Sequence, residues 1–348
     1  MSNYLQHKKF SEINLDDSFF DSLKSDYKEF PSWFKRKRNN YAYVLEQDNK
    51  ILGFLYIKIE HGIVNDIEPE LNVKSSLKIG TFKIDPHQTR LGERFIKKAL
   101  DHAINENVDV CYVTVFSKHT ALLNLFIKYG FKEHGTKSTP NGEEKVLVKY
   151  FKQLVGNILS DYPLISTQHK RKFLLAIYPE YHSKMFPDSI LNNETYDILE
   201  DVSFTNSIHK IYVCGMPVGN LKRGDIVVIY RTGDQVAPAE YRAVATSICI
   251  IEEVKSKDDF NNFEEFFNYA NSYSIFDRQK LEQRYNRNRC YAIKMTYNAA
   301  LRKRLTRHIL ADEVGISRAP RWSFLTLSDS QLEKILEKGD INEGIVID

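Results

Sequence analysis

The sequence predicts an α/β protein of two domains: a mixed sheet covered by helices, followed by an α+β domain rich in strands. The chain has 348 residues, more than a typical domain of ~100–150 residues holds. Its composition, 42% hydrophobic with 15 glycines and 10 prolines, is that of an ordered globular protein. Strand and helix patterns alternate as far as residue 151, and strand patterns dominate beyond residue 166.

The first domain opens with a loose helical spacing in Asp16–Lys28 and continues into a predicted β-hairpin. Two apolar runs, Tyr41–Leu45 and Ile51–Ile59, flank a polar turn and supply the two strands of this hairpin. The next strand, Leu77–Ile84, changes its apolar face at Gly80. One extra residue restores the alternation, so we expect a β-bulge at Gly80 and a strand that splays away from its neighbour.

A helix with an apolar stripe from Leu91 to Ile104 follows this strand. Val108–Phe116 is apolar on both faces, as is typical of a central strand covered by helices. Strand, helix and strand in this order imply a parallel pair with a right-handed crossover. A second helix ends at Gly130, and Lys145–Phe151 is predicted as the last strand of the domain.

Beyond a connector, short strands bounded by turns predict a mostly antiparallel, barrel-like second domain. The predicted strands are Lys172–Tyr178, His209–Val213, Asp225–Arg231, Tyr241–Val254 and Tyr291–Thr296. The predicted helices are a short one between Pro179 and Pro187, then Phe263–Tyr269, Ala299–Leu310, and one that a capping box at Ser328 opens and Gly339 closes.

Residues Leu77–Phe131 resemble the GNAT acetyltransferase superfamily in the order of their elements and in two short motifs. The family has Arg or Gln, two residues, Gly, one residue, then Gly or Ala between its fourth strand and the next helix. The matching segment here is His87-Gln88-Thr89-Arg90-Leu91-Gly92, which keeps the second glycine but has Arg90 for the first and His87 for the Arg or Gln. The segment Tyr129-Gly130-Phe131 resembles the Gly-Phe pair that closes the family's fourth helix.

This resemblance implies that acetyl-CoA lies between the two splayed parallel strands. Its pantetheine arm would pair with the backbone of Phe82, Lys83 and Ile84. Its pyrophosphate would meet the N–H groups at the start of the next helix, where the helix dipole favours an anion; these residues are Arg90, Leu91, Gly92, Glu93 and Arg94. Arg90 and Arg94 would add charge-assisted hydrogen bonds. In the alternative interpretation, both arginines are solvated side chains.

Acetyl transfer to an amine needs a base for the amine and often an acid for the leaving thiolate. Many family members have a tyrosine where this chain has Phe126, and an asparagine where it has His119. An imidazole, which titrates near ~6.5, suits acid–base work, so His119 is the first catalytic candidate, with a surface histidine at a helix start as the alternative. Tyr129 is the second candidate, with a core aromatic as the alternative. The histidines form no metal-ligand pattern, and we predict no metal.

A strongly basic segment lies between Arg278 and Arg307, with ten basic residues against one acid. Tyrosines interleave with the arginines, which suits phosphate contacts combined with base stacking. The candidate nucleic-acid-binding residues are Arg231, Arg284, Arg287, Arg289, Arg302 and Arg304. The alternative is a solvated basic face, or one paired with the acidic residues between 252 and 265.

The second domain, over most of Ser166–Leu327, resembles the PUA-like superfamily, including its ASCH and EVE branches. Lys222–Arg231 is similar to the basic-x-Gly-Asp strand entry of that superfamily, and Phe173–Asp188 looks like its opening strand and helix. The resemblance implies a small β-barrel that binds RNA or modified nucleotides. The predicted organisation is a GNAT-like domain at 1–151, a connector at 152–165, a PUA-like domain at 166–327, and a helix and tail at 328–348.

Together the two resemblances predict an acetyl-CoA-dependent N-acetyltransferase whose second domain recruits RNA, tRNA or an RNA-bound substrate. Two alternatives stay open: a CoA-sensing RNA-binding regulator without catalysis, and a protein acetyltransferase that uses the second domain for docking. Four widely spaced cysteines, and the lack of an apolar run of ~20 residues or a leader-like amino terminus, predict a cytoplasmic protein outside the membrane. The sequence assigns no oligomeric state.

Overall fold

The computed structural model describes residues 5–85, 90–186, 207–234 and 238–348. The chain divides into two compact units, Met1–Gln153 and Leu154–Asp348. Within the described ranges, no helix has both the length and the apolar character needed to cross a membrane.

The described residues of the first unit form a seven-stranded mixed sheet in the order β1-β2-β3-β4-β5-β7-β6. Its strands are β1 (Leu5–Lys9), β2 (Tyr41–Gln47), β3 (Lys50–His61), β4 (Ser75–Ile84), β5 (Val110–Phe116), β6 (Lys132–Thr139) and β7 (Gly142–Tyr150). Its helices are α1 (Asp21–Asp26), α2 (Phe30–Arg36), α3 (Leu91–Asn105) and α4 (Thr120–Lys128). The predicted hairpin, crossover helix and central strand are therefore confirmed.

The predicted bulge and splay are both present in β4. Tyr56 of β3 pairs with Thr81 and Ile57 pairs with Ile79, so Gly80 is the extra residue on β4. The parallel ladder between β4 and β5 runs from Ser76 and Val110 only as far as Ile79 and Val113. The last five residues of β4 do not pair with β5, and the sheet opens between the two strands.

The edge strand β6 was missed by the sequence analysis. Its residues, KEHGTKST, show no apolar alternation, because an edge strand has less apolar surface to bury than a central one. The structure shows β6 paired along its length with β7, with a register shift between Glu133 and Gly135.

The described residues of the second unit form a six-stranded mixed sheet in the order β13-β8-β10-β11-β12-β9. Its strands are β8 (Lys172–Ile177), β9 (His209–Cys214), β10 (Ile226–Arg231), β11 (Val244–Ser256), β12 (Tyr291–Thr306) and β13 (Phe324–Leu327). Among the described residues the edge strands β9 and β13 do not pair with each other, so the sheet is open and the predicted small barrel is not confirmed.

The helices of the second unit are α5 (Ile158–Asp161), α6 (Pro179–Met185), α7 (Ala239–Arg242), α8 (Phe263–Asn271), α9 (Arg278–Tyr285), α10 (Arg307–Asp312) and α11 (Asp329–Lys338). The predicted capping box at Ser328 is confirmed, with reciprocal hydrogen bonds to Gln331 at the start of α11. The predicted stop at Pro187 lies outside the described residues.

The predicted helix Ala299–Leu310 is wrong. Most of this segment is the end of β12, and α10 begins only at Arg307. The cause is a wide bulge: Ala300 pairs with Ser247 and Leu305 with Ala245, so four residues of β12 lie opposite Thr246. Leu301 and Leu305 are both buried although they are four residues apart, a spacing that imitates a helix.

Candidate active site

A cavity of about 810 Å³ lies in the first unit where β4 separates from β5. Its walls come from the second half of β4, the end of β5, the loop that enters α4, and helices α1 and α2. Aromatic side chains from the helices and β3 form one side of it: Tyr27, Phe30, Trp33 and Tyr56. The β-bulge therefore lies where the sheet opens to a cavity of ligand size.

The predicted cofactor-binding residues of β4 lie at this opening. Phe82, Lys83 and Ile84 all line the cavity. On one edge these residues pair with β3, where Ile84 lies opposite Gly53. On the other edge the ladder to β5 has already ended at Ile79. Backbone groups on that edge are therefore in position to pair with an extended ligand, as a neighbouring strand would.

The predicted phosphate-binding segment begins α3, at the same end of β4. The Arg90 carbonyl accepts hydrogen bonds from the amides of Glu93 and Arg94, which starts the helix at Leu91. Gly92 lets α3 pack closely, because a Cβ atom there would lie 2.7 Å from Leu125 Cδ2 and 3.2 Å from Ile84 Cδ1. His87 and the other motif residues before Arg90 lie outside the described residues.

The charged residues in the first turn of α3 are not a solvated group. Arg94 is only 5% exposed, which excludes the solvated interpretation for that side chain. Glu93 is buried and accepts a hydrogen bond of 2.8 Å from Lys128 Nζ on α4. Burial lowers the pKa of Arg90, and the nearby Glu93 carboxylate opposes that shift.

His119, the first catalytic candidate, lines the cavity at the residue before α4. Its Nε2 atom lies 2.9 Å from Oδ2 of Asp26, the last residue of α1. Lys118 Nζ donates to the other oxygen of the same carboxylate over 2.5 Å. Burial raises the pKa of Asp26, but the hydrogen bonds from Lys118 and His119 outweigh it and hold that pKa below its usual range. Asp26 is therefore an ionised carboxylate at neutral pH.

Tyr129, the second catalytic candidate, does not reach the cavity. It is fully buried at the end of α4, where Lys149 Nζ donates to its backbone carbonyl over 2.9 Å. It is not among the residues that line the cavity. Phe126 is also fully buried and packs edge-on against Phe82, with the ring centroids 5.4 Å apart. The geometry matches the core-aromatic alternative for Tyr129.

Two ionisable cavity residues on the sheet, Glu60 of β3 and Lys78 of β4, were missed by the sequence analysis. Glu60 accepts hydrogen bonds from Tyr112 Oη at 2.5 Å and from Lys58 Nζ at 3.0 Å. Burial raises the pKa of Glu60, but these hydrogen bonds outweigh it and the net shift is downward. Burial, with Lys137 nearby, lowers the pKa of Lys78. The sequence signal that could have identified these two residues is a charged side chain within an otherwise apolar strand.

Tyr27 and Glu144 form a second polar contact at the cavity that the sequence analysis missed. The Tyr27 hydroxyl donates to the Glu144 carboxylate, and its ring stacks on Phe116 with the centroids 5.1 Å apart. Burial and the carboxylate raise the pKa of Tyr27, so its phenol keeps its proton. Among the described residues, no group of three or more His, Cys, Asp or Glu side chains could hold a metal ion.

The six predicted nucleic-acid-binding arginines of the second unit do not form one surface. Arg231 is 3% exposed, and its guanidinium donates to the Arg242 carbonyl over 3.4 Å. Arg284 donates to the Val213 carbonyl over 3.0 Å and lies 4.2 Å from the centre of the Phe276 ring. Both therefore have structural contacts inside their own unit.

The other four arginines lie at opposite ends of β12. Arg287 and Arg289 are exposed in the loop before the strand, while Arg302 and Arg304 lie in the wide bulge near its end. Eleven residues of strand correspond to about 35 Å of chain. Acidic partners neutralise part of the segment, since Arg278 pairs with Glu264 and Lys294 Nζ lies 3.3 Å from Glu252.

Residues 7–131 match the family model of the acetyltransferase (GNAT) family. These residues form a GNAT acetyltransferase domain. The match covers the elements from α1 to α4, which include Asp26, Gly80, Gly92 and the residue before α4, His119. It ends before β6 and β7, which complete the sheet.

Similar solved structures include both kinds of protein that the sequence resembles. The ASCH protein from Zymomonas mobilis is 8% identical and covers 48% of this chain and 94% of its own, with a TM-score of 0.34. The IAA acetyltransferase from Bacillus cereus is 12% identical; the match covers 42% of this chain and 97% of that protein, with a TM-score of 0.30. A putative phosphinothricin N-acetyltransferase is 17% identical; the match covers 42% of this chain and 97% of that protein, with a TM-score of 0.32. No curated protein matches the chain.

Proposed function

We propose that this protein transfers the acetyl group of acetyl-CoA to an amine bound in the cavity between β4 and β5. The observation that carries the proposal is the separation of the two strands after Ile79, within a GNAT acetyltransferase domain. It leaves an open strand edge beside a cavity of about 810 Å³. The amide-rich pantetheine arm suits that edge, because it can pair with backbone groups as a strand does.

The start of α3 is the proposed site of the pyrophosphate. The first N–H groups of a helix point toward an anion placed at its axis. The amides of Glu93 and Arg94 already donate to the Arg90 carbonyl, so the amides of Leu91 and Gly92 are the ones proposed to meet the pyrophosphate. Arg90, at the residue before α3, adds a positive charge there. Gly92 keeps α3 close to Ile84, so the helix start and the open edge of β4 stay adjacent.

His119 is the proposed base for the acceptor amine. The amine nitrogen forms a bond to the thioester carbonyl carbon, the carbon–sulfur bond breaks, and the thiolate of CoA leaves with the electron pair. The nitrogen gives its surplus proton to His119, and backbone N–H groups of β4 stabilise the negative charge on the carbonyl oxygen. Tyr129 has no part in this mechanism, because it is buried outside the cavity.

The test uses the full chain, thermal unfolding with acetyl-CoA, and a thiol-release assay over pooled small amines, peptides and tRNA. We expect acetyl-CoA to raise the melting temperature of wild type and of His119→Gln. Thiol release should fall in His119→Gln by about 10²–10⁴-fold, the usual contribution of a general base. His61→Gln, which changes an exposed histidine on β3, is the matched control.

The outcomes separate this proposal from its alternatives. No thermal shift at millimolar acetyl-CoA would contradict the cofactor assignment. A thermal shift without turnover on any acceptor would favour a CoA-sensing regulator, and turnover on peptides alone would favour a protein acetyltransferase. Equal turnover in wild type and His119→Gln would remove His119 from the mechanism.

We also propose that the second unit recruits RNA or an RNA-bound substrate through the exposed Arg287 and Arg289. Tyr291, the first residue of β12, lies two residues after Arg289 and is half-buried. Two cations beside a partly exposed aromatic ring offer phosphate contacts and a surface on which a base can stack. Arg231 and Arg284 are not part of the proposed surface, because each donates to a backbone carbonyl of its own unit.

A further inference from the structure

We propose that Asp26 is a positioning residue that keeps the proton of neutral His119 on Nε2, so that Nδ1 is the nitrogen that accepts the proton of the acceptor amine. This inference rests on the proposed function for its role in catalysis. The arrangement of the two side chains rests on geometry alone.

Asp26 and His119 are 93 residues apart in the chain and meet at the cavity. Asp26 ends α1 and its side chain is only 13% exposed, whereas the side chain of His119 is 41% exposed. The carboxylate is therefore held in the cavity wall while the imidazole reaches into the solvent-accessible space. A carboxylate behind a more exposed imidazole is the arrangement that orients a histidine base in other acyl-transfer enzymes, and Asp26 is the less exposed of the two side chains here.

The identity of the donor in this contact follows from the charge of Asp26. An ionised carboxylate only accepts hydrogen bonds, so the atom 2.9 Å away, His119 Nε2, has to donate. A neutral imidazole carries one N–H, and with the proton on Nε2 the lone pair is on Nδ1. Nδ1 has no hydrogen-bond partner among the residues that the structure describes.

The charged groups around this pair lie in the loop before α4, on β4 and on β7. Lys118, beside His119, shares the Asp26 carboxylate. Lys83 of β4 is close enough to Asp26 for an electrostatic interaction, and the Tyr27 hydroxyl next to Asp26 is held by Glu144 of β7. Asp26 is thus the carboxylate that contacts the imidazole directly, and Lys118 is its second partner.

In the reaction, Nδ1 takes the proton as the new carbon–nitrogen bond forms and the thiolate departs. The imidazolium that results carries protons on both nitrogens, and the Asp26 carboxylate stabilises its charge. The proton then passes from Nδ1 to solvent or to the departing thiolate, and His119 returns to the same tautomer. Asp26 gains no proton at any point.

The first test is independent of catalysis. Long-range proton–nitrogen NMR spectra of the full chain with labelled histidine show which ring nitrogen carries the proton, and His119→Gln identifies the signal of His119. We expect the Nε2–H tautomer in wild type above pH 7. Asp26→Asn can present an amide N–H to Nε2, so we expect it to move the proton toward Nδ1. A wild-type signal showing Nδ1–H, or no change in Asp26→Asn, overturns the proposal even if the protein is an active acetyltransferase.

The second test is kinetic, with the acceptor that gives the highest rate in the thiol-release pool. Asp26→Asn should lower kcat by about 10²-fold or more, since the wrong tautomer costs that much or more in a histidine base, and leave the KM for acetyl-CoA within about twofold. Asp26→Glu should restore part of the rate. Asp21→Asn removes a more exposed carboxylate from the same helix and is the matched control.

The two tests distinguish this inference from the proposed function. Absence of acetyl transfer with an Nε2–H tautomer would contradict the proposed function and leave the arrangement of the pair intact. If Asp26→Asn lowers both kcat and the melting temperature and leaves the tautomer unchanged, the role of Asp26 is only to attach α1 to the loop before α4.

Discussion

Gly80 of β4 lies against the ring of Tyr56 on β3, and a Cβ atom at Gly80 would come within 2.8 Å of Tyr56 Cδ1. Gly80 is also the extra residue of the bulge, between the pairs Tyr56–Thr81 and Ile57–Ile79. Both residues line the cavity. Because Gly80 has no side chain, the Tyr56 ring can pack against the bulge. This packing shapes one wall of the proposed acetyl-CoA site.

We predict that Gly80→Ala destabilises the first unit and weakens acetyl-CoA binding. The added methyl group has to displace the Tyr56 ring, and overpacking of this kind costs about 1–3 kcal/mol. Urea unfolding and titration with acetyl-CoA measure the two effects. The double variant Gly80→Ala with Tyr56→Leu should recover part of the stability, because the clashing ring edge is gone; purely additive losses would contradict the clash.

Gly92→Ala should act in the same way at the start of α3. Its Cβ atom would lie 2.7 Å from Leu125 Cδ2, so either the Leu125 side chain or α3 has to shift. We expect a loss of about 1–3 kcal/mol in the free energy of unfolding and a higher Kd for acetyl-CoA. Shortening the neighbour with Leu125→Ala should relieve the clash, so a Gly92→Ala effect that persists unchanged in that background would argue against close packing.

His182 of α6 should make the second unit less stable as the pH falls below about 6.5. It is fully buried, and its Nε2 lies 2.7 Å from Thr246 Oγ1. Burial, with Arg231 and Arg304 nearby, lowers its pKa to about 3. Between these two pKa values the unfolded chain binds a proton at this histidine and the folded chain does not. The contribution of neutral His182 to the free energy of unfolding is therefore complete above about pH 6.5 and declines toward pH 3, by at most ~1.4 kcal/mol per pH unit.

The measurement is the free energy of unfolding of the second unit between about pH 6.5 and 5, above the range in which carboxylates titrate. His182→Gln should be less stable at neutral pH and should show a flatter dependence on pH. His169→Gln, at an exposed histidine of the same unit, should keep the wild-type slope. Parallel slopes in wild type and His182→Gln would contradict the assignment.

Substitutions of the basic residues around α9 should differ in their effect on the free energy of unfolding, because some of these residues have structural contacts and others are exposed. Arg284→Ala should destabilise the second unit by about 1–3 kcal/mol, because it removes the contact with Phe276 and the hydrogen bond to the Val213 carbonyl. Arg287→Ala and Arg289→Ala, at exposed positions, should change the free energy of unfolding by less than about 0.5 kcal/mol. Urea unfolding of the three variants decides this.

RNA binding should depend on the second group. The double variant Arg287→Ala with Arg289→Ala should bind a single-stranded RNA probe more weakly, and its affinity should depend less steeply on salt, by about 0.7 in the logarithmic slope for each lost phosphate contact. Arg302→Ala, at the far end of β12, serves as the comparison. Identical salt slopes for wild type and the double variant would rule out this loop as the RNA site.

Local patterns were sufficient for much of the fold because their physical causes are local. The change of apolar face at Gly80 predicted the bulge, since side chains alternate strictly along a strand. The capping box at Ser328 predicted the start of α11, since its hydrogen bonds span only three residues. The failure at Ala299–Leu310 had a non-local cause: the wide bulge opposite Thr246 gave a strand the apolar spacing of a helix.

The hairpin, the bulged strand, the crossover helix and the central strand of the first unit, with the GNAT resemblance and His119 as a candidate base, could be predicted from local patterns, because apolar periodicity and short motifs are properties of neighbouring residues. The contact between Asp26 and His119, the core position of Tyr129 and the dispersal of the six arginines could be seen only in the folded chain. Each of these depends on which distant elements pack together, and side chains 93 residues apart meet only when the sheet and helices bring them to one cavity.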